Sequence, residues 1–156
     1  MQQTTLCYPT REGQYLMLHR VKKEHDANRD KWIGIGGKFL EGESPEECLL
    51  REVKEETGLS LTAWRYRGIV TFVSDLWETE YMHLFTAHQW EGQLSVCDEG
   101  ELEWVDIDAV PSLPIWEGDK IFLRLMAEDA PFFSLKLRYE GEKLVYAALD
   151  GKEYAL

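Results

Sequence analysis

The sequence has few cysteines, and they form no recognisable pattern. Cys7, Cys48 and Cys97 are scattered along the chain, so they provide neither a disulfide framework nor the paired spacing of a zinc site. We interpret them as small buried side chains in a protein of a reducing compartment. Disulfide scaffolds and zinc modules are thereby excluded.

Basic residues are also scarce. The chain has 17 Lys and Arg against 29 Asp and Glu, which gives a net charge of −12. Binding of long nucleic acid or of anionic membranes requires clustered basic side chains, so we predict neither partner. A small phosphorylated molecule remains compatible with this charge, provided that a divalent cation screens it.

Long hydrophobic runs are missing as well. No segment approaches the ~20 apolar residues of a membrane span. The N-terminal stretch also lacks the basic and apolar regions of a secretory signal. We therefore expect a cytoplasmic protein, and the 156 residues predict a single domain over 1–156.

The order of strand-like and helix-like segments predicts the fold class. Alternating apolar runs predict strands, and turn residues separate two pairs of them into hairpins. We expect an α/β (α+β) fold, an α/β/α sandwich whose mixed sheet is flanked by helices, because regular βαβ alternation is absent. The predicted segments are a hairpin of 4–8 and 14–21 around the turn-rich 9–13, a strand and glycine loop at 31–39, antiparallel neighbours at 64–74 and 79–90, a strand at 101–107, a helix at 117–129 and a closing hairpin at 132–149.

The clearest helix signal covers residues 45–57. Ser44 can cap it, Pro45 suits its first position and Glu47 completes a capping box. Gly58 is typical of a helix C-terminus.

On that helix three carboxylates share one face. At about 100° per residue, Glu52, Glu55 and Glu56 lie together, beside an apolar face that contains Leu49 and Val53. A solvated acidic surface is the simpler explanation, but the helix follows a glycine loop, which can bring backbone carbonyls close. Clustered hard oxygen ligands favour Mg²⁺ or Mn²⁺, so we predict a metal site here.

The segment from Gly37 to Leu59 resembles the box of the Nudix hydrolase family. That pattern is Gly, five residues, Glu, seven residues, then Arg-Glu-aliphatic-x-Glu-Glu-x-Gly-aliphatic, and every specified position matches. The resemblance implies hydrolysis of a nucleoside diphosphate linked to another group, with Mg²⁺ or Mn²⁺.

The resemblance also assigns roles to residues of the box. Glu52 and Glu56 become the main metal ligands, Glu55 shares that role, and a backbone carbonyl of Gly36 or Gly37 completes part of the shell. Two further box residues, Arg51 and Glu43, are expected to pair and fix the loop onto the helix, which preorganises the ligands.

The catalytic base is less defined, because members of the family take it from different places. Glu52 is our first choice, and Glu55 and Glu99 stay open. By similarity to the MutT-homologue enzymes that act on oxidised purine nucleotides, Glu99 is also a candidate metal ligand. Glu101 competes with it for this role.

Two further segments resemble the 8-oxo-dGTP diphosphatases of that group, KWIGIGGK and PIWEGDKIF. By similarity, Trp116 stacks on a purine and Asp119 binds its edge, with Phe72 lining the same pocket. Core packing is the alternative for Trp116 and Phe72, and a favourable charge at a helix N-terminus is the alternative for Asp119. Of the lysines near the glycine loop, Lys23 (with its neighbour Lys22) and Lys38 are candidates to bind the phosphates.

The chain departs from the group at two positions that contact the base. Ile33 stands where the group has an Asn, and Glu117, Gly118 and Asp119 stand where it has two adjacent acids. These departures put selectivity for 8-oxoguanine in doubt without affecting the hydrolysis.

The sequence therefore predicts a Mg²⁺-dependent pyrophosphohydrolase of oxidised or ordinary purine nucleoside triphosphates. The small-molecule nucleotide is its expected partner. The alternatives are a hydrolase of another nucleoside diphosphate derivative, such as ADP-ribose or a dinucleoside polyphosphate, and a nucleotide sensor without catalysis.

Overall fold

The computed structural model describes residues 1–21 and 28–156. Lys22 and Lys23, two residues considered above, lie outside this range. Within the described residues the chain forms nine strands, two α-helices and one short 3₁₀ helix at Ile107–Ser112. The elements are β1 (Gln2–Arg11), β2 (Gln14–His19), β3 (Trp32–Ile33), α1 (Pro45–Thr57), β4 (Ser60–Ser74), β5 (Glu80–Glu91), β6 (Glu101–Asp106), α2 (Asp119–Ala127), β7 (Phe133–Glu140), β8 (Lys143–Leu149) and β9 (Lys152–Glu153).

The strands form one mixed sheet in the order β3-β2-β1-β5-β4-β7-β8-β9, and β6 pairs with β2 beside this path. Two contacts are parallel: β1 with β5, from Gln2 opposite Glu80, and β4 with β7, from Gly68 opposite Phe133. The predicted antiparallel pair of β4 and β5 and the closing hairpin of β7 and β8 are confirmed.

The first hairpin differs from the sequence prediction in the position of its turn. Strand β1 continues through Pro9 to Arg11, and only Glu12 and Gly13 form the turn. Both have positive φ, at 47° and 76°, which suits a tight two-residue hairpin. Pro9 is accommodated in the strand, where it stands opposite Ala87 of the parallel neighbour β5.

Helix α1 begins and ends as its sequence predicts. Ser44 accepts a hydrogen bond from the backbone of Glu47, whose side chain in turn bonds the backbone of Ser44. Gly58 ends the helix with φ at 82°. These local contacts fix the two ends without help from the rest of the fold.

Each face of the sheet packs against one helix, so the chain has two hydrophobic cores. Along β1, Cys7 contributes to the core under α1, and the next residue, Tyr8, contributes to the core under α2, as strand alternation requires. The predicted α/β/α arrangement of a mixed sheet flanked by helices is confirmed. The cores include Leu49 and Val53 from α1, and Ile121, Phe122, Leu123 and Met126 from α2.

Among the described residues no helix is long and apolar enough to cross a membrane. The division of the chain into a single domain and the cytoplasmic location remain predictions.

Candidate functional site

A cleft of about 770 Å³ lies beside α1 and the glycine segment 34–37. Two groups of side chains line it. The first is acidic and comes from α1 and the segment before β6: Glu52, Glu56 and Glu99. The second is largely aromatic and comes from β4, the loop that follows it and the start of α2: Phe72, Trp77, Trp116 and Asp119.

Glu56 is at the centre of the acidic group. Its carboxyl is hydrogen-bonded to Glu99 and accepts a bond from the backbone N–H of Gly36 at 3.3 Å. Burial, followed by the Glu99 contact and the nearby charge of Glu52, raises the pKa of Glu56 to about 9. The shift favours the protonated form of the Glu56 carboxyl, because burial and the neighbouring Glu99 and Glu52 all disfavour its charge.

Glu52 is positioned by Arg51 and by the glycine loop. The Arg51 Nη1 donates to Glu52 Oε1 at 2.8 Å. A Cβ atom at Gly37 would lie 2.5 Å from the Glu52 carboxylate. A residue with a side chain at position 37 would therefore displace Glu52, which explains the glycine there in physical terms.

Arg51 also makes the expected contact with Glu43. Its Nε and Nη2 donate to the two carboxylate oxygens of Glu43 at 2.8 and 2.9 Å, and Nη2 donates to the Lys38 carbonyl at 3.0 Å. This bidentate pair lowers the pKa of Glu43 to about 2. The loop that carries Gly37 and Lys38 is thus tied to the face of α1 that carries Glu52.

Of the remaining acidic candidates, only Glu99 reaches the cleft. The Glu55 side chain is 60% exposed and pairs at 3.2 Å with Arg51 Nη1, the atom that also donates to Glu52, but it is not among the residues lining the cleft. Glu101 is exposed on β6, opposite His19 of β2. Glu99 lies in the cleft with Arg20 at 3.2 Å.

The donor set of this group fits a hard divalent cation. Glu52, Glu56 and Glu99 supply carboxylate oxygens, and a bound cation would relieve the repulsion that keeps Glu56 protonated. In the part of the chain that is described, no three Asp, Glu, His or Cys side chains already stand as a closed metal site. Binding would therefore require these side chains to adjust around the ion.

In the aromatic group, Trp116 is more enclosed than a freely accessible stacking surface. It is only 6% exposed. Its Nε1 donates to Asn28 Oδ1 at 2.7 Å, and the Lys31 ammonium lies 4.7 Å from its ring centroid. Phe72 and Tyr139 contact the ring edge-to-face, with centroids 5.5 and 5.0 Å away.

Asp119 is buried at the first position of α2 and lines the same cleft. Burial raises its pKa to about 8, although the charge of Lys31 opposes this rise. The group is thus a neutral carboxylic acid near pH 7, which can donate one hydrogen bond and accept another.

The two departures from the resembling enzymes are visible in this cleft. Ile33 is one of its lining residues, so an apolar side chain stands where the resembling group has an amide. Glu117 points to solvent and pairs with Lys120 at 3.4 Å. Asp119 is therefore the acid of this short segment that lines the cleft.

The sequence did not predict several residues of the cleft, and most of them belong to no recognisable motif. Arg20 and Glu80 belong to regular strand patterns or their ends. Glu80 accepts a bond from Thr4 Oγ1 at 2.8 Å, and burial raises its pKa. Trp77 had a usable signal, because a tryptophan between the polar residues of a turn has no obvious core to join. Lys38 lines the cleft, and its role in phosphate binding stays a prediction. Lys23 lies outside the described residues.

Comparison with known proteins agrees with this geometry. The family model described as the NUDIX domain matches residues 2–126. The chain is 32% identical over 125 residues to an oxidized purine nucleoside triphosphate hydrolase of Danio rerio, covering 79% of both chains. It is 31% identical over 131 residues to the uncharacterized Nudix hydrolase YvcI of Bacillus subtilis, covering 81% of this chain and 79% of that one.

A similar solved structure is the MutT protein from Bacillus halodurans. It superposes with a TM-score of 0.86 at 28% identity, over 97% of this chain and 99% of the other. This chain thus has the residues of the box, a mixed sheet with a helix on each face, and an acidic cleft. The chain belongs to the Nudix hydrolase family, whose members hydrolyse phosphorus anhydrides.

Proposed function

We propose that this protein is a Mg²⁺-dependent pyrophosphohydrolase of purine nucleoside triphosphates, including oxidised ones, which yields the nucleoside monophosphate and pyrophosphate. One observation carries the proposal: a single cleft contains both the carboxylates of α1 and an aromatic group with a buried carboxylic acid. The first group suits a metal-bound triphosphate, and the second suits a purine. The name of the Danio rerio relative supports the same substrate class.

The proposed chemistry divides the acidic residues by role. Glu52, Glu56 and Glu99 hold the cation, with a carbonyl of the glycine pair. The Gly37 carbonyl already accepts the Thr5 N–H at 2.9 Å, which favours Gly36 for this contact. Mg²⁺ held by these residues would supply charge neutralisation for the phosphate groups and would help to activate water. Lys38 assists in binding the phosphates.

The base that activates water is one of Glu52, Glu55 and Glu99. Glu52 and Glu99 line the cleft, whereas Glu55 is directed toward Arg51. Arg51 and Glu43 act as positioning residues, since their pair holds the glycine loop against α1.

The aromatic end of the cleft suits a purine that presents a hydrogen-bond donor and an acceptor on one edge. Asp119, neutral near pH 7, can both donate and accept there. Ile33 supplies an apolar contact where an amide would add a further polar one. We therefore expect modest discrimination between oxidised and ordinary guanine, because this cleft has one polar contact fewer with which to distinguish the two bases.

The experiment is a steady-state comparison of 8-oxo-dGTP, dGTP, 2-oxo-dATP and ADP-ribose with Mg²⁺, using the wild type and Glu56→Gln. Purine triphosphates should be hydrolysed with release of pyrophosphate, and Glu56→Gln should abolish turnover. If ADP-ribose is the preferred substrate, the family chemistry stands, but the assignments of Trp116 and Asp119 are wrong. Absence of pyrophosphate release from every purine triphosphate would reject the proposal.

A further inference from the structure

Trp77 is the most accessible aromatic side chain among those described along the cleft. It lies in the loop between β4 and β5 and is 39% exposed, whereas Trp116 is 6% exposed. Phe72 is partly buried. The Trp77 ring is therefore partly packed against Trp116 and partly accessible from the cleft.

The loop holds Trp77 in place at several points. Its backbone N–H donates to Ser74 Oγ at 3.2 Å, and that of Leu76 donates to the same oxygen at 2.9 Å. Asp75 accepts a bond from the Gly141 N–H at 2.9 Å, and the Thr79 carbonyl accepts one from Gln2 at 2.9 Å. The ring is therefore presented to the cleft by a fixed backbone, which lowers the entropy cost of binding.

The residues around Trp116 leave less of its ring accessible for stacking than remains accessible on Trp77. Lys31 lies over its ring, and Phe72 and Tyr139 pack against it edge-to-face. Trp77 meets Trp116 at 89° with centroids 6.0 Å apart. A planar base stacked on Trp77 would take the same perpendicular relation to Trp116, which is favourable between aromatic rings.

We propose that Trp77 is the residue on which the purine stacks, and that Trp116 supports it as an enclosed wall of the same pocket. This inference rests on the proposed function, because it assigns the base of that substrate to a particular surface. It moves the main stacking contact from the segment before α2 to the loop between β4 and β5.

The test uses Trp77→Ala and the conservative Trp77→Phe. Leu76→Ala serves as the matched control, because Leu76 belongs to the same loop, is 61% exposed and is not among the residues lining the cleft. KM and kcat for dGTP and 8-oxo-dGTP are measured with Mg²⁺. Affinity for dGMP and dAMP is measured by calorimetry, and inorganic tripolyphosphate is tested as a competitive inhibitor.

Loss of a stacked base predicts about a tenfold rise in KM and in the dGMP dissociation constant for Trp77→Ala. We expect kcat to change less than about twofold, since stacking contributes equally to the ground and transition states. Inhibition by tripolyphosphate, which has no base, should be unchanged. Trp77→Phe should restore most of the affinity, and Leu76→Ala should behave as the wild type.

Two results would overturn the inference: unchanged KM and dGMP affinity in Trp77→Ala, or an equal loss of dGMP and tripolyphosphate binding, which indicates a damaged cleft. Failure of the proposed function is a separate result, in which the wild type hydrolyses no purine triphosphate. The monophosphate titrations then decide on Trp77 alone. Weaker binding by Trp77→Ala keeps the inference, whereas equal binding, or no binding by the wild type, rejects it.

Discussion

At the scale of single residues, Gly118 shows how packing selects the acid that lines the cleft. A Cβ atom there would lie 2.5 Å from Leu137 Cδ1 and 2.7 Å from the Tyr139 hydroxyl. That hydroxyl accepts the Gly118 N–H at 2.7 Å. A second acidic side chain therefore has no room at position 118, next to Asp119. The close contact between the start of α2 and β7 explains why this chain lacks the two adjacent acids of the enzymes that it resembles.

Asp119 gives a prediction about pH. Its pKa is about 8 in the folded protein against 3.8 as its ordinary value, so the folded state binds the proton more tightly than the unfolded state. Stability from this group is present at low pH and is lost as pH rises toward 8. Between pH 6 and pH 8 the loss is about 2 kcal/mol.

Asp119→Asn, which cannot ionise, should remove most of that loss. Urea unfolding of both proteins at pH 6 and pH 8 measures it, and Asp108→Asn, an exposed Asp before α2, is the control. A pH dependence in Asp119→Asn as steep as that of the wild type would contradict the raised pKa.

Substitutions at Glu52 and Glu99 should separate the base from the ligands. Loss of a general base lowers kcat by about 10²- to 10⁴-fold and leaves the Mg²⁺ concentration for half-maximal rate unchanged. Loss of a ligand raises that concentration. In Mg²⁺ titrations of the initial rate, we expect Glu99→Gln to show only the second pattern. Glu52→Gln, which removes both the first-choice base and a ligand, should show both. The reverse outcome would assign the base to Glu99, and a loss of kcat confined to Glu55→Gln would assign it to Glu55. Glu46→Gln, on the first turn of α1, is the control.

At the scale of elements, the contact between α1 and the glycine loop decides the geometry of the acidic group. Arg51 reaches Glu43, Glu52 and the Lys38 carbonyl at the same time. A planar guanidinium can make these contacts together, whereas an ammonium cannot.

Arg51→Lys should therefore weaken metal binding more than it weakens folding. We expect the Mg²⁺ concentration for half-maximal rate to rise by about 10- to 100-fold, as for other residues that orient metal ligands. The thermal midpoint without metal should fall by only a few degrees. Lys54→Arg, an exposed change on another face of α1, is the control. If Arg51→Lys retains the Mg²⁺ dependence of the wild type, the loop does not need this anchor.

At the scale of the whole molecule, the charge of −12 makes cation binding a source of stability. A ligand that binds only the folded state at 100 times its dissociation constant adds about 2.7 kcal/mol. For a chain of this size that corresponds to a rise of roughly 5 to 10 °C in Tm.

Glu56→Gln should lose this rise and be about as stable as the wild type in EDTA, because an amide, like the protonated carboxyl, can donate a hydrogen bond to Glu99 and places no charge beside Glu52. Thermal unfolding with EDTA, and then with Mg²⁺ or Mn²⁺, provides the measurement. Glu46→Gln, on the first turn of α1, should respond to Mg²⁺ as the wild type does. A full response of Glu56→Gln would place the cation elsewhere.

The sequence by itself determined the elements whose contacts are local. The ends of α1 follow from residues within four positions of each other, Ser44 with Glu47 and Gly58 with Lys54. The position of the acidic face of α1 follows from the helical period, and the family follows from the spacing of the box. The mixed sheet with helices on both faces was predicted from the order of the segments.

Only the tertiary structure decided which residues from distant segments meet. Glu99 and Glu101 have the same local sequence character, but β6 pairs with β2 in a register that leaves Glu101 exposed and Glu99 in contact with Glu56. Glu55 turns toward Arg51, although the helical period places it beside Glu52 and Glu56. The enclosure of Trp116 depends on Asn28, Lys31 and Tyr139, which are far from it in sequence. Burial and pKa are properties of these assembled contacts, so no local pattern in the chain could specify them.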